Sequence, residues 1–226
     1  MSASAAKLHT RAFFAQITGF VISSGAYLIT AVRPIWLGIQ PEKKQRIYFA
    51  NHVSHGDFVL IWTVLPASWR KQTRPVAAAD YWLKGPLRRF IGKHVFNAVL
   101  IDRDQSTRRD DPVQQMCQAL DQGDSLILFP EGTRNTNAKQ LLSFKSGIYH
   151  LHCQRPEIDL VPVWIANLNR VLPKGESVPV PLVCTVTFGT PVPLVENEAK
   201  DEFLDRARQL LENLSPQAQS SEDQSG

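Results

Sequence analysis

Three short apolar runs in this chain each stop abruptly in a cluster of polar residues, and that repetition constrains the fold more than any other feature. IYFA (47–50) runs into NHVSHGD, AVLI (98–101) into DRD, and LILF (126–129) into PEGTRN. Short apolar runs without polar alternation read as strands buried on both faces, the kind found in parallel sheets. IDLVPVWI, interrupted by Pro162, and LVCTVTF read as further strands. DFVLIWTVL reads as a helix or a second buried segment. Asp111 caps a helix with Pro112 at its first position, Val113, Met116, Cys117 and Leu120 on one face, and Gly123 as its stop. Phe203, Ala207, Leu210, Leu211 and Leu214 mark an amphipathic closing helix between Glu198 and Leu214. Strands alternating with helices predict an α/β fold with a mixed, largely parallel sheet flanked by helices. Ligand crevices of such sheets lie at the carboxyl ends of the strands, so parallel strands bring His52, Asp57, Arg103, Glu131 and Arg134 to one rim.

Ahead of this pattern, Ala12 to Val32 is 21 residues without a charge, bracketed by Arg11 and Arg33, with Pro34 positioned to end a helix. As a helix it would be about 30 Å long, enough to cross a bilayer. Gln16, Thr18, Ser23, Ser24, Thr30 and two glycines dilute it, so a single span and a shallow anchor are both expected, ahead of a buried soluble helix. No small-x-small cleavage site followed by a polar start suggests a signal peptide. If the segment spans, Arg33, Lys43, Lys44 and Arg46 outnumber Lys7 and Arg11, which places the active domain on the cytoplasmic side. The expected organisation is a membrane-anchoring helical segment over 1–40, an α/β domain over 41–214 and a disordered tail over 215–226, where apolar residues run out. Three scattered cysteines, Cys117, Cys153 and Cys184, give neither a disulfide framework nor a cysteine-rich zinc site.

The polar cluster after IYFA poses the chemical question. A neutral imidazole can take a proton from a hydroxyl when a carboxylate holds its other ring nitrogen. His52 and Asp57 are five apart, so contact needs His52 in a turn and Asp57 in the first turn of the helix that follows. A metal site at His52, His55 and Asp57 competes, but no further ligand cluster follows at recognisable spacing. A plain polar turn capped by Asp would suit Ser54 and Asp57 but not the histidines. Gly-x-Ser-x-Gly is absent and no cysteine has the context of a nucleophile, so direct attack by a substrate hydroxyl is the simpler chemistry. FPEGTR adds a glycine allowing close backbone approach, the Thr133 hydroxyl, and in Arg134 a planar fork suited to phosphate. Arg103 is a second cation at that rim.

Taken together, these blocks resemble the glycerolipid acyltransferases typified by 1-acylglycerol-3-phosphate (lysophosphatidic acid) acyltransferases. The resemblance covers roughly 47–193, with the motifs in the family's order. NHVSHGD matches the catalytic His-x4-Asp (HX4D) block, LIDR the second block with Arg103, FPEGTR the third, and LVPVWI the fourth with Pro162. It implies that His52 is the general base and Asp57 orients it while the acceptor hydroxyl attacks an acyl thioester. It also implies that Arg103, Glu131, Gly132, Thr133 and Arg134 bind the glycerol-phosphate part of the acceptor, and that Pro162 shapes the acyl-donor region. His55 inherits no role. Asn97 stands where many relatives have glycine, and Ser146 of FKSG where a second lysine or threonine is common.

Charge agrees with a lipid setting. The chain carries a net +4, and 67–109 holds ten basic residues against three aspartates, interleaved with Trp69, Trp82 and Phe90. Such a face suits an anionic bilayer, an acidic carrier protein or coenzyme A phosphates. The expected function is a transferase of phospholipid biosynthesis. It would move a fatty acyl group from acyl-CoA or acyl-carrier protein to a lysophospholipid, with 1-acylglycerol-3-phosphate as the expected acceptor. Rivals are another lyso-lipid acceptor, such as an aminolipid, or a non-catalytic module binding anionic membrane or nucleic acid. The His52 and Asp57 pair speaks against the second, so no nucleic acid partner is expected. No metal or redox cofactor is called for.

Overall fold

The computed structural model describes residues 3–54, 56–104, 110–135, 141–168 and 183–218. His55, Arg108, Arg109 and residues 219–226 of the expected tail lie outside these. The elements in order are helix α1 (Ala3–Thr30), strands β1 (Arg33–Trp36) and β2 (Arg46–Ala50), and helices α2 (Asp57–Val64) and α3 (Ala67–Arg70). Then come β3 (Thr73–Ala78), α4 (Ala79–Trp82), α5 (Pro86–Phe90), a π-helical turn (Ile91–Val95) and β4 (Val99–Ile101). The remainder is α6 (Pro112–Asp121), β5 (Ser125–Leu128), α7 (Gly147–Gln154), β6 (Asp159–Ala166), β7 (Thr185–Phe188) and α8 (Lys200–Glu212).

Seven strands form one sheet in the order β1-β7-β6-β2-β5-β3-β4. Every pairing is parallel except β6 with β7. The sheet is therefore mixed and largely parallel, as the alternating pattern predicts. Side chains of β2 alternate between its faces. Ile47 and Phe49 join a core with α6, α7 and α8, while Tyr48 and Ala50 join a second core with α2 and the inner side of α1. Both faces of the central strands are thus covered, which is why their sequences read as continuous apolar runs.

Pro162 shows how β6 accommodates an imino acid in the middle of a sheet. It pairs with Phe49 on the β2 side, while its carbonyl accepts from Gly189 N–H at 2.9 Å, one residue past the end of β7. The absent N–H thus falls where the β7 ladder has already ended, so no interior pair is lost.

Three elements differ from the sequence expectation. Pro34 was expected to end a helix, yet α1 stops at Thr30, Ala31 takes a left-handed φ of 43°, and Pro34 sits inside edge strand β1. β3 has no apolar run to announce it, since TRPVAA carries Arg74 and Pro75. Its strand pairing to β5 and β4 is what makes it a strand. α7 follows FKSG without a recognised start signal.

Helix α1 spans 28 residues, about 42 Å at 1.5 Å per residue, and is packed the reverse of a soluble helix. Ala15, Gly19, Ser23 and Thr30 are buried toward the domain, while Phe13, Phe14, Ile17, Phe20, Val21 and Leu28 face outward. At Gly19 a Cβ would meet Trp62 of α2 at 3.2 Å and Val95 of the π-helical turn at 3.4 Å, so the small residue permits the close approach. Residues 9–30 are long and apolar enough to cross a membrane. An exposed stripe of large apolar side chains on such a helix supports membrane association.

Candidate active site

The site begins where β2 leaves the ladder. Asn51 extends the strand with its side chain, donating from Nδ2 to the Ile165 carbonyl at 3.0 Å and accepting from Ile165 N–H at 2.8 Å. His52 follows in the turn, and Asp57 is the first residue of α2. That strand-to-helix turn folds the five-residue spacing back on itself, leaving His52 Nδ1 2.8 Å from Asp57 Oδ2. The same oxygen accepts from Val53 N–H at 2.7 Å and Ser54 N–H at 2.8 Å. Asp57 is fully buried, while the His52 side chain remains 21% exposed. A buried carboxylate whose one oxygen takes these contacts selects, for the neutral imidazole, the tautomer with its proton on Nδ1 and its lone pair on Nε2. Phe129, the last apolar residue before PEGTRN, stacks on the His52 ring at 4.3 Å and limits its rotation.

β5 is the parallel neighbour of β2, so its carboxyl end delivers the PEGTR turn beside His52. Gly132 takes a φ of 70°, and a Cβ there would lie 3.3 Å from Cγ of Lys145, so both the turn and the overlying lysine favour glycine. Thr133 and Arg134 are exposed. Glu131 is not: it is buried, with Oε1 accepting from His52 N–H at 2.9 Å and Oε2 from Leu142 N–H at 3.0 Å. Burial pushes its carboxyl above the usual range, with those two backbone donors and His52 pulling the other way.

The other expected residues are placed differently. Arg103 lies just past the end of β4, at the sheet edge, three strand positions from β2 and thus about 14 Å across. It forms an exposed ion pair with Asp80 at 2.8 Å. Pro162 is buried within β6, on the sheet face shared with Phe49 and Leu160. The fold therefore gathers His52, Asp57, Glu131 and the Gly132–Arg134 turn, with Arg103 farther along the same rim. Asn97, just ahead of β4, takes a φ of 48°, a conformation glycine adopts freely and asparagine tolerates better than most residues. Among the described residues no group of three or more His, Cys, Asp or Glu converges as a metal site would require.

Sequence reading missed Phe129, Asn51, Lys145 and Asn135, whose N–H donates to the His52 carbonyl at 2.6 Å, as parts of this site. All four sit inside or next to the motif blocks, but their contacts are tertiary.

Comparison with known proteins points one way. The family model described as Acyltransferase matches residues 38–166, more than half of the chain. A 1-acyl-sn-glycerol-3-phosphate acyltransferase of Cocos nucifera is 27% identical over 188 residues, covering 80% of this chain and 58% of that protein. One from Limnanthes douglasii is 29% identical over 159 residues, covering 69% and 53%. The chain thus spans a little over half the length of these relatives. In fold it is similar to the crystal structure of the 1-acyl-sn-glycerophosphate (LPA) acyltransferase PlsC from Thermotoga maritima, with a TM-score of 0.63 and 20% identity over 92% of this chain and 82% of that one. On the family match, reached independently of the site geometry, the chain belongs to the glycerolipid acyltransferase family.

Proposed function

We propose that this protein transfers a fatty acyl group from acyl-CoA or acyl-carrier protein to the free hydroxyl of a lysophospholipid, with 1-acylglycerol-3-phosphate as the acceptor. The observation that carries this reading is the 2.8 Å contact between His52 Nδ1 and the buried Asp57. With Nδ1 held, Nε2 takes the proton of the acceptor hydroxyl. The hydroxyl oxygen attacks the thioester carbonyl and a C–O bond forms. Collapse of the tetrahedral intermediate breaks the C–S bond, and the His52 imidazolium returns its proton to the departing thiolate sulfur. Asp57 stabilises the imidazolium between these steps.

The names of the relatives support the acceptor, since those proteins are called 1-acyl-sn-glycerol-3-phosphate acyltransferases. Arg134 and Thr133, exposed beside His52, are suited to the phosphate and glycerol oxygens, and Gly132 leaves the turn's backbone open to approach. Arg103 would join them only by exchanging Asp80 for an acceptor phosphate. Pro162 shapes the donor region indirectly, through the strand that carries Ile165 to Asn51.

The outward face of α1 rests in lipid while its inner face stays on α2 and the π-helical turn, which supports a shallow anchor over an isolated span. Exposed Arg33 and Lys43 beyond the helix favour the cytoplasmic side. The test is thioester consumption by the purified full chain on vesicles containing lysophosphatidic acid. His52→Ala should abolish turnover and leave vesicle binding intact; unchanged turnover would refute the base assignment.

A further inference from the structure

The main chain of His52 is held at both of its polar groups by one turn. Its N–H donates to Glu131 Oε1 at 2.9 Å, and its carbonyl accepts from Asn135 N–H at 2.6 Å. The second oxygen of Glu131 accepts from Leu142 N–H, and the Asn135 side chain adds a hydrogen bond to the carboxylate. Glu131 and Asn135 are only 2% and 4% exposed. Across the strand, Asn51 ties the preceding residue to β6. The base therefore sits at a point where β2 has left the sheet, yet the Glu131 carboxylate and the Asn135 N–H on one side, and the side chain of Asn51 bonding the Ile165 backbone on the other, supply the pairs the ladder no longer provides.

A buried carboxylate whose two oxygens already accept from backbone N–H groups has little capacity left for a solvent-borne ligand, and it carries the wrong charge for a phosphate. It also sits on the main chain of the base, not on the ring. We propose that Glu131 is a positioning residue for His52 and not an acceptor ligand. Its carboxyl group, accepting from His52 N–H and Leu142 N–H, fixes where the imidazole stands relative to Asp57 and to the turn that receives the acceptor. The third motif then divides by burial: Glu131 faces inward to hold the base, while Thr133 and Arg134 face outward to the acceptor.

The inference rests on the reading of His52 as the base, so one readout must be independent of turnover. Glu131→Gln keeps the volume but turns an N–H donor toward one of the two backbone donors. Acyl transfer should show kcat reduced at least about 10-fold with the KM for lysophosphatidic acid within about 3-fold of wild type, whereas Arg134→Ala should raise KM. In nitrogen NMR of the histidine-labelled full chain, with the His52 signals assigned by their loss in His52→Ala, the ring should leave its single Nδ1–H tautomer in Glu131→Gln, whether or not the protein turns over. Glu131→Asp, too short to span both donors, should not rescue kcat. A raised acceptor KM with kcat retained, or an unchanged His52 ring signal, would overturn the proposal. So would failure of both Glu131→Gln and Glu131→Asp to fold, which would assign the residue to stability instead. Loss of wild-type turnover with an intact His52–Asp57 tautomer would instead count against the acyltransfer reading alone.

Discussion

Two acid–base contacts in this molecule have the same length and opposite character. His52 and Asp57 meet at 2.8 Å, as do Arg103 and Asp80. Asp57 is fully buried and takes two further backbone hydrogen bonds, whereas Arg103 and Asp80 are each more than half exposed at the sheet edge. Distance alone does not rank them. In the first pair, loss of one partner strands a desolvated charge or misorients a ring. In the second, water replaces either partner, and an exposed pair of this kind holds little energy. The aspartate beside Arg103 is nevertheless drawn below its usual range by the guanidinium's hydrogen bond, a local effect that solvent and salt screen.

The contrast breaks most readily at Asp57. Asp57→Asn keeps the shape but reverses a donor and an acceptor, so the imidazole is driven toward the wrong tautomer. A fall in kcat of about 10³-fold or more is expected in a thioester assay; a loss below tenfold would mean that the buried contact does not orient the base.

A second histidine sharpens it. His152 on α7 is buried, its ring tilted against Phe203 of α8 at 5.8 Å, and neither ring nitrogen has a well-formed hydrogen bond. Unlike that of His52, its ring has no hydrogen bond to a carboxylate among the described residues. Burial lowers its pKa below the ordinary 6.5, the Val192 backbone offsetting part of this and the Arg206 charge adding to it. The unfolded chain therefore binds this proton more readily than the folded one. The stabilisation is complete above 6.5 and declines as pH falls through the depressed folded value. Thermal melts from neutral pH downward should show His152→Gln losing less Tm than wild type across that window, by roughly a few °C. Parallel curves would remove His152 from the acid sensitivity of the fold.

The smallest effect is expected at the exposed pair. Arg103→Ala should leave Tm within about 1 °C of wild type, since nothing buried loses a partner. Any activity loss it causes should appear as a higher acceptor KM and should shrink as salt is raised. A salt-independent collapse of kcat would place Arg103 nearer the chemistry than the sheet order suggests.

The strand ends were readable because β2 and β5 are covered on both faces and β4, though at the sheet edge, is still at least partly buried along its length, so all three advertise themselves as uninterrupted apolar runs. The rim therefore followed from IYFA, AVLI and LILF. β3 escaped because Arg74 and Pro75 interrupt its apolar character, and its strand identity comes from β5 and β4 on either side. The reach of Asp57 to His52 was visible because both lie in one turn. Glu131, by contrast, stands 79 positions from the N–H it accepts, and nothing local to FPEGTR distinguishes a carboxylate pointing inward from one pointing at solvent. Arg103 likewise reads as a free cation until the fold brings Asp80 alongside it.

The inverted packing of α1 makes this apolar helix part of the domain's own architecture. Because Gly19 lets it nest on Trp62 and Val95, with Ala15 and Ser23 also buried on its inner side, a generic leucine-rich segment grafted in its place would still hold the chain at a bilayer but could not seat in that groove. Tethering would survive while the tilt and height of the strand-end rim over the lipid surface were lost, so on the proposed function affinity for vesicles and turnover of a lipid in them should respond separately to changes in this helix.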